Sequence, residues 1–241
     1  MEHIRTALWL VRFELTVSKK HYLFLFFLAG IYAFFLYISM PGYLEDNFFL
    51  VDLFLIIYIV TISFTTKPKG IQYQKINNSL FASPYFAMLS QLPIERSVLI
   101  ASRFILLFLA SVGGTVLVLV MTYLSSPEFQ ATIVPLQLIS LIMIWICITF
   151  SLGGMFPASD PGDRIKRFTF FWSYVIIIVF LISLYLIFQV WLGTGIFNWT
   201  IYLASEYTII SLIGFLVAAC LVTWYWFHLA KRKIQNIDYL H

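Results

Sequence analysis

Long apolar stretches separated by short polar segments dominate the hydropathy pattern of this chain. Six of these stretches contain about 18 to 26 residues, and a helix of that length crosses a hydrocarbon layer of about 30 Å because it rises 1.5 Å per residue. The pattern therefore predicts an all-α, polytopic membrane protein with six transmembrane helices, at residues of about 22–40, 48–65, 99–124, 131–156, 168–192 and 207–229.

The composition supports lipid as the solvent around most of this chain. Hydrophobic residues make up 61% of the 241 residues, and charged residues only 11%. Soluble proteins contain roughly 25% charged residues, and a soluble core of this size has no room for such an apolar excess.

Polar segments between the spans predict how the spans are connected. The Pro-Gly pair at 41–42 predicts a turn after the first span, and residues 45–47 a short acidic loop. Residues 125–128 predict a tight turn, and residues 157–163 a turn-rich link. The semi-apolar residues 193–206 predict an outer, re-entrant segment that dips into the membrane interface.

Residues 1–21 form a candidate amphipathic helix ahead of the first span. Ile4, Leu8, Val11 and Leu15 recur at helical spacing among basic residues. This pattern favours a cytoplasmic helix that lies in the membrane interface. The alternative is that these residues are the irregular start of the first span.

All 15 Lys and Arg residues lie toward the same ends of the predicted spans. Because basic residues are retained on the cytoplasmic side, both termini, the connection at 66–98 and the tail at 230–241 are predicted to be cytoplasmic in a cell membrane. This distribution explains the net charge of +4 without a nucleic-acid partner. Arg103, inside the third span, is predicted to extend toward its polar end.

The sequence lacks the motifs of the enzyme classes that work in or at membranes. It has no Gly-x-x-x-x-Gly-Lys phosphate loop, no His-Glu-x-x-His zinc motif and no Gly-x-Ser-Gly motif. Cys147 and Cys220 lie inside apolar runs, which argues against a disulfide or a metal site. We therefore predict no catalytic residues, no metal and no cofactor in this chain itself.

A short capped helix is predicted at residues 83–92, inside the longest polar connection. Ser83 suits the position that caps the free N–H groups of a first turn, and Pro84 suits the first helical position. Pro93 ends the helix because the residue before a proline avoids the helical region. The segment predicts a docking helix; the alternative is an ordinary amphipathic helix resting on lipid.

Polar and small residues inside the predicted spans are candidates for a transport pathway or for helix packing. Asp52 is the only acid inside a predicted span, and is either a water-contacting interfacial carboxylate or a group that attracts cations to a pathway. The other candidate pathway residues, which alternatively bond to neighbouring helices, are Tyr58, Thr61, Ser63, Tyr174, Ser183, Tyr185 and Gln189. Glycines at 113, 114, 153 and 154 predict close helix packing within the chain, or else a subunit contact.

The segment from Leu89 to Phe104 resembles a recurrent stretch in type-2 ATP-binding-cassette (ABC) permeases. In that family a Leu-Pro-hydrophobic-polar-Arg run follows the coupling helix, as Leu92, Pro93 and Arg96 do here. The resemblance implies a dimer with a second copy or a homologous permease. It also implies a separate ABC ATPase subunit that binds ATP and Mg²⁺, and a pathway lined mainly by the second and fifth spans.

By the same resemblance, the coupling helix would dock the ATPase through Ser83, Pro84, Tyr85, Phe86, Met88, Leu89 and Gln91. Replacing Phe86 and Leu89 by Ala is then predicted to uncouple transport while the membrane domain stays folded. Bacterial permeases of this type without a large outer domain export peptides or drugs. We therefore expect export of an amphipathic or hydrophobic peptide, with drugs or lipids as the next substrates.

Two other functions fit the same pattern. One is a membrane substrate-binding subunit of an importer, which takes up a small solute such as a vitamin. The other is a structural or assembly factor. Membrane lipids are expected partners in every case, because most of the surface is apolar.

Overall fold

Helices form most of the structure, a computed structural model that describes residues 2–68, 72, 74–77, 80–164 and 167–237. The all-α prediction is confirmed. The helices are α1 (Glu2–Val17), α2 (Lys19–Asp46), α3 (Phe49–Thr65), α4 (Pro84–Leu89), α5 (Arg96–Ser125), α6 (Pro127–Thr132), α7 (Pro135–Gly153), α8 (Met155–Ser159), α9 (Arg167–Tyr185), α10 (Ile196–Glu206) and α11 (Thr208–Asn236). A π-helical segment, Leu186–Trp191, extends α9.

Five helical segments of the described chain are long and apolar enough to cross a membrane. They are α2, α5, α7 together with α8, the segment Phe171–Trp191, and α11. The predicted second span corresponds to α3, an apolar helix of 17 residues that falls short of this length. The architecture is therefore compatible with a multi-pass membrane protein, by length and composition.

The predicted turn at 41–42 is wrong, because α2 continues through Pro41. Met40 and Tyr43 are fully buried on either side of the proline, and packing of this kind keeps a helix intact where a proline removes one backbone hydrogen bond. Glu45 and Asp46 are thus part of the last helical turn, not a loop. The helix ends at Asn47, which adopts the left-handed conformation with φ 53°.

Three other predicted connections and boundaries also differ from the structure. The segment after α5 is a helix, α6, rather than a tight turn, because the Ser126 hydroxyl accepts a hydrogen bond from Phe129 N at 3.3 Å and caps it. The next span begins at Pro135 rather than near 131. The predicted tail at 230–241 is helical to Asn236, and its last four residues lie outside the described residues.

A small antiparallel sheet, absent from the prediction, joins two connections. Its strands are β1 (Gln74–Asn77), β2 (Leu80–Ala82) and β3 (Asp163–Arg164), in the order β1-β2-β3. Phe81 of β2 pairs with Asp163 of β3. The sheet therefore links the connection that leads into α4 with the connection that leads into α9.

Two clusters of buried apolar side chains lie toward opposite ends of the helices. One is built by α2, α3, α5, α6, α7 and α10. The other is built by α1, α4, α5, α8 and α11. We call the two ends of the molecule the α10 end and the α4 end. The apolar segment Phe171–Trp191 contributes to neither cluster, because none of its side chains is buried.

Candidate functional site

A short helix, α4, lies within the predicted segment 83–92 and is capped by Ser83 as expected, but it ends at Leu89, before Pro93. Phe86 N donates to the Ser83 hydroxyl at 3.3 Å, and Pro84 occupies the first turn. Ser83 N donates in turn to the backbone oxygen of Asp160 at 3.2 Å. The start of α4 is therefore fixed to the end of α8. The coupling role of this helix stays a prediction.

The apolar face of α4 is seated in the chain's own core. Phe86 and Leu89 belong to the buried cluster of the α4 end. Their neighbours in this cluster come from α1, α5, α8 and α11 and include Ala7, Leu10, Phe104, Ala158, Ala230 and Ile234. We call α4 and these supporting residues the α4 platform.

This seating changes which predicted docking residues a partner can reach. Phe86 and Leu89 are buried, so they do not stand ready to enter a cleft on another protein. Replacing both by Ala removes core contacts of α1, α5 and α11, which costs several kcal/mol, so the expectation of an intact membrane domain does not hold. The outward residues are Met88, with 53% of its surface exposed, Gln91 and Leu92.

Arg103 does not extend toward water as predicted, because it is buried in an ion pair with Glu14 of α1. Its Nη1 donates to the two carboxylate oxygens of Glu14 at 2.6 and 2.9 Å. The guanidinium also lies over the ring of Tyr85, 4.9 Å from its centroid. Burial raises the pKa of the Tyr85 hydroxyl. These contacts join α1, α4 and α5 within the platform.

A second buried ion pair connects the platform to α3. Lys67, just after α3, pairs with Asp160, just after α8, and its Nζ also donates to Phe156 O at 3.1 Å. Burial lowers the pKa of the Lys67 ammonium, and the neighbouring Asp160 carboxylate opposes this change. A buried pair of this kind is costly to break from one side, because it leaves one charge without compensation.

The buried face of α1 differs from the predicted face. Ala7, Leu10, Val11 and Glu14 are buried and share one side of the helix. Ile4 and Leu8 of the predicted face are exposed. The spacing of the true face is also helical, but it contains an acid, so a search for apolar residues alone missed it.

At the α10 end, Asp52 is buried in a hydrogen-bond cluster and is not the predicted water-contacting carboxylate, while its role in a pathway stays a prediction. Only 1% of its surface is exposed. Its carboxylate accepts hydrogen bonds from Tyr43 Oη at 2.7 Å, Ile196 N at 2.9 Å and Phe197 N at 3.0 Å. Free N–H groups at a helix start favour an anion, so Asp52 fixes the beginning of α10.

Further polar contacts complete this arrangement, which we call the Asp52 clamp. Asn47 Oδ1 accepts from Gly195 N at 3.2 Å, and Gln189 Nε2 donates to Asn47 O at 2.7 Å. A side chain at Gly195 would collide with the Tyr43 hydroxyl and with Asp52. The clamp therefore joins α2, α3, α10 and the π-helical segment, and it requires glycine at 195.

The remaining candidate pathway residues fall into two separate groups. Tyr58 and Ser63 are buried in the bundle, and the half-buried Thr61 accepts a hydrogen bond from Tyr32 at 3.1 Å. On the other side, Tyr174, Ser183 and Tyr185 are exposed along α9. The structure thus does not bring the α3 and α9 candidates together within one chain, apart from Gln189 in the clamp.

Three of the four predicted packing glycines are close contact points within the chain. A Cβ at Gly114 would lie 2.8 Å from Tyr58 Oη, one at Gly153 would collide with Ser63, and one at Gly154 would lie 2.7 Å from Trp226. At Gly113 it would meet nothing within 4 Å. This glycine faces open space instead of a neighbouring helix.

The described residues contain no group of three or more His, Cys, Asp or Glu side chains that could hold a metal ion. Comparisons of the chain with models of protein families, with curated proteins and with solved structures found no match. The α4 platform is therefore the candidate functional site of the described residues. Glu14, Lys67 and Asp160, whose ion pairs connect the platform to α1 and α3, were not predicted from the sequence.

Proposed function

We propose that this chain is the permease subunit of an ATP-driven ABC transporter that exports an amphipathic or hydrophobic peptide, or a drug or lipid. A separate ATPase subunit binds ATP and Mg²⁺ and docks on α4. The observation that carries the proposal is the arrangement of this helix. One face of α4 is seated in the core, while Met88 of α4, and Gln91 and Leu92 just after the helix, are exposed and can contact a partner.

The seating of α4 suits it to transmit movement. Force on the exposed face passes through Phe86 and Leu89 to α1, α5 and α11, because closely packed interiors transmit strain. The buried Arg103 ties the same helix to α1, and the pair of Lys67 and Asp160 extends the connection to α3. A helix that merely rests on lipid lacks such connections.

In this proposal α3 serves as a sixth crossing. Its 17 residues rise about 25 Å, and a bilayer adapts to a shorter span by local thinning. Six crossings place the α4 end and both termini in the cytoplasm of a bacterial cell. Acidic residues then face outside at the α10 end, at Glu45, Asp46, Glu128 and Glu206.

The transporter is proposed to be a dimer, with α9 facing the second permease. The segment Phe171–Trp191 buries no side chain in its own chain, and its polar residues Tyr174 and Ser183 are exposed. A second copy or a homologous permease would cover part of this surface. The pathway would then run between two α9 helices and the neighbouring α3 helices.

Photo-crosslinking tests the docking surface directly. A photoreactive amino acid at Met88 or Gln91, activated in native membranes, should attach to a protein that contains a nucleotide-binding Gly-x-x-x-x-Gly-Lys loop. The matched control position is Leu136, which is 73% exposed but lies at the start of α7, at the other end of the bundle.

The proposal is contradicted if the same nucleotide-binding protein is also attached at Leu136. It is likewise contradicted if no nucleotide-binding protein is attached at Met88 or at Gln91. A thermal-shift screen of the purified chain in detergent addresses the importer alternative. Strong stabilisation by a small, vitamin-sized solute would favour that function instead.

A further inference from the structure

An apolar cavity opens on the flank of the bundle near the α4 end. Its volume is about 170 Å³, and it lies between the first half of α2 and the middle of α5. Small residues create the space, namely Ala29, Ala110 and Gly113. A Cβ at Gly113 would meet nothing within 4 Å. For scale, a closed apolar cavity of about 150 Å³ is large enough to hold benzene.

The depth of the cavity matches one leaflet of a bilayer. Tyr22 and Ala29 both line it, and they lie roughly 5 and 15 Å beyond Lys19 along the helix axis. Half of a hydrocarbon core is about 15 Å thick. A molecule in this cavity is therefore at the depth of the acyl chains of the leaflet on the α4 side.

Two exposed lysines lie at the polar edge of this cavity. Lys19 precedes Tyr22 by one helical turn and shares its face. Lys20 lines a neighbouring surface groove together with Phe26, which also lines the cavity. Among the described residues, neither lysine forms an ion pair. Both ammonium groups are thus available to an anion at the membrane surface.

The side chain of Tyr22 lies between the lysines and the apolar part of the cavity. Its hydroxyl is buried near Glu14, Arg103 and Tyr85, so the ring is the part of Tyr22 that can line the cavity. The ester groups of a glycerophospholipid lie between its phosphate and its chains. The order of charge, aromatic ring and apolar space along α2 therefore matches the order of headgroup, ester region and acyl chain in one phospholipid molecule.

We propose that this cavity binds an anionic phospholipid of the leaflet on the α4 side. One acyl chain enters the space beside Gly113, the ester region packs against the ring of Tyr22, and Lys19 and Lys20 bind the headgroup. The proposal concerns a lipid site on the chain itself and does not depend on the ATPase or on the direction of transport.

Native mass spectrometry of the full chain in detergent tests this site, with palmitoyl-oleoyl phosphatidylglycerol and palmitoyl-oleoyl phosphatidylcholine as the two probes. We expect one phosphatidylglycerol to be retained in preference to phosphatidylcholine. Gly113→Leu fills the cavity and should abolish this retention. The matched control is Gly30→Leu, because Gly30 also has open space around its Cβ but lines a different groove.

The headgroup contribution is tested by Lys19→Gln with Lys20→Gln. Each lost charge should weaken phosphatidylglycerol binding about fivefold, from about 1 kcal/mol per basic residue near an anionic surface. The control is Lys231→Gln with Arg232→Gln, which removes two exposed charges from the end of α11 and should leave binding within about twofold.

Equal retention of the two lipids by the unmodified chain overturns the proposal, as does unchanged binding in Gly113→Leu. The proposal is also overturned if Gly30→Leu lowers phosphatidylglycerol retention as much as Gly113→Leu does, and if the variant at Lys231 and Arg232 lowers it as much as the variant at Lys19 and Lys20. If Gly113→Leu does not fold, Gly113→Ala replaces it, since a Cβ fits the open space, and a partial loss of retention is expected. The lysine variants give an independent answer because they leave the cavity unchanged.

Discussion

At the scale of single residues, the most consequential contact is the buried pair of Glu14 and Arg103. Both side chains are almost completely inaccessible. Ser83 was predictable as a cap because capping depends on residues within one turn. The pairing of Glu14 with Arg103 was not, since the partners lie 89 positions apart and local patterns carry no information on such contacts.

Removing one member of this pair should be far more damaging than removing both. We expect Glu14→Met or Arg103→Met alone to lower the free energy of unfolding by about 3 to 5 kcal/mol, because each leaves an uncompensated buried charge. The double variant with Met at both positions should recover most of this loss. Unfolding in detergent, followed by tryptophan fluorescence, measures the difference.

His3 and Glu95 provide a control for that experiment. They form an exposed ion pair at the same end of the molecule, at 2.7 Å. Exposed pairs contribute about 1 kcal/mol or less, so His3→Gln should change stability little. If His3→Gln lowers the free energy of unfolding as much as Arg103→Met does, burial does not govern the contribution of Arg103. The same conclusion follows if the double variant at Glu14 and Arg103 is as unstable as the single variants.

At the scale of elements, α2 and α9 show what hydropathy reveals and what it omits. Both were predicted as apolar spans from residue type alone. The end of α2 was missed because Pro41 is a local helix-breaking signal, whereas the packing of Met40 and Tyr43 that overrides it is tertiary. Hydropathy likewise did not reveal that the segment Phe171–Trp191 buries no side chain in its own chain, because lipid-facing and protein-facing apolar helices have similar composition.

The exposed surface of α9 leads to a prediction about the dimer. Single cysteines placed at 176, 177, 178 and 179, after Cys147 and Cys220 have been replaced by Ala, scan one full turn of an exposed helix. If α9 meets a second copy, one or two adjacent faces should form intermolecular disulfides on oxidation in membranes, while the opposite face should not. Non-reducing electrophoresis detects the product.

The four positions act as controls for one another. Cross-linking at none of them contradicts the homodimer, and uniform cross-linking at all four indicates random collision rather than a defined interface. Pairing with a homologous permease would give cross-links to a second protein of similar size, with the same dependence on helix face.

At the scale of the whole molecule, the fold class followed from the sequence, but the Asp52 clamp and the buried pair of Glu14 and Arg103 did not. Apolar runs were long enough to predict the helices without knowledge of their neighbours. The Asp52 clamp depends on backbone N–H groups at Ile196 and Phe197, which leave no mark in residue types. Of the clamp, the sequence indicated only that an acid inside a span was unusual.

The orientation of the whole molecule can be tested with two single cysteines. Gln91→Cys lies on the exposed side of the α4 end, and Glu128→Cys lies at the α10 end. Cys147 and Cys220 are first replaced by Ala in both variants. In intact cells, a membrane-impermeant maleimide should then label only position 128. Position 91 should react after the membrane is permeabilised. The reverse pattern would contradict the cytoplasmic assignment of both termini.

The α4 platform also has a consequence for synthesis. Its core includes Ala230 and Ile234, and Arg96 at the start of α5 donates to the backbone oxygen of Ile234 at 3.2 Å. These contacts come from α11, which the ribosome produces long after α4 has emerged. A nascent or truncated chain therefore has an incomplete α4 platform until translation has reached the last turns of α11.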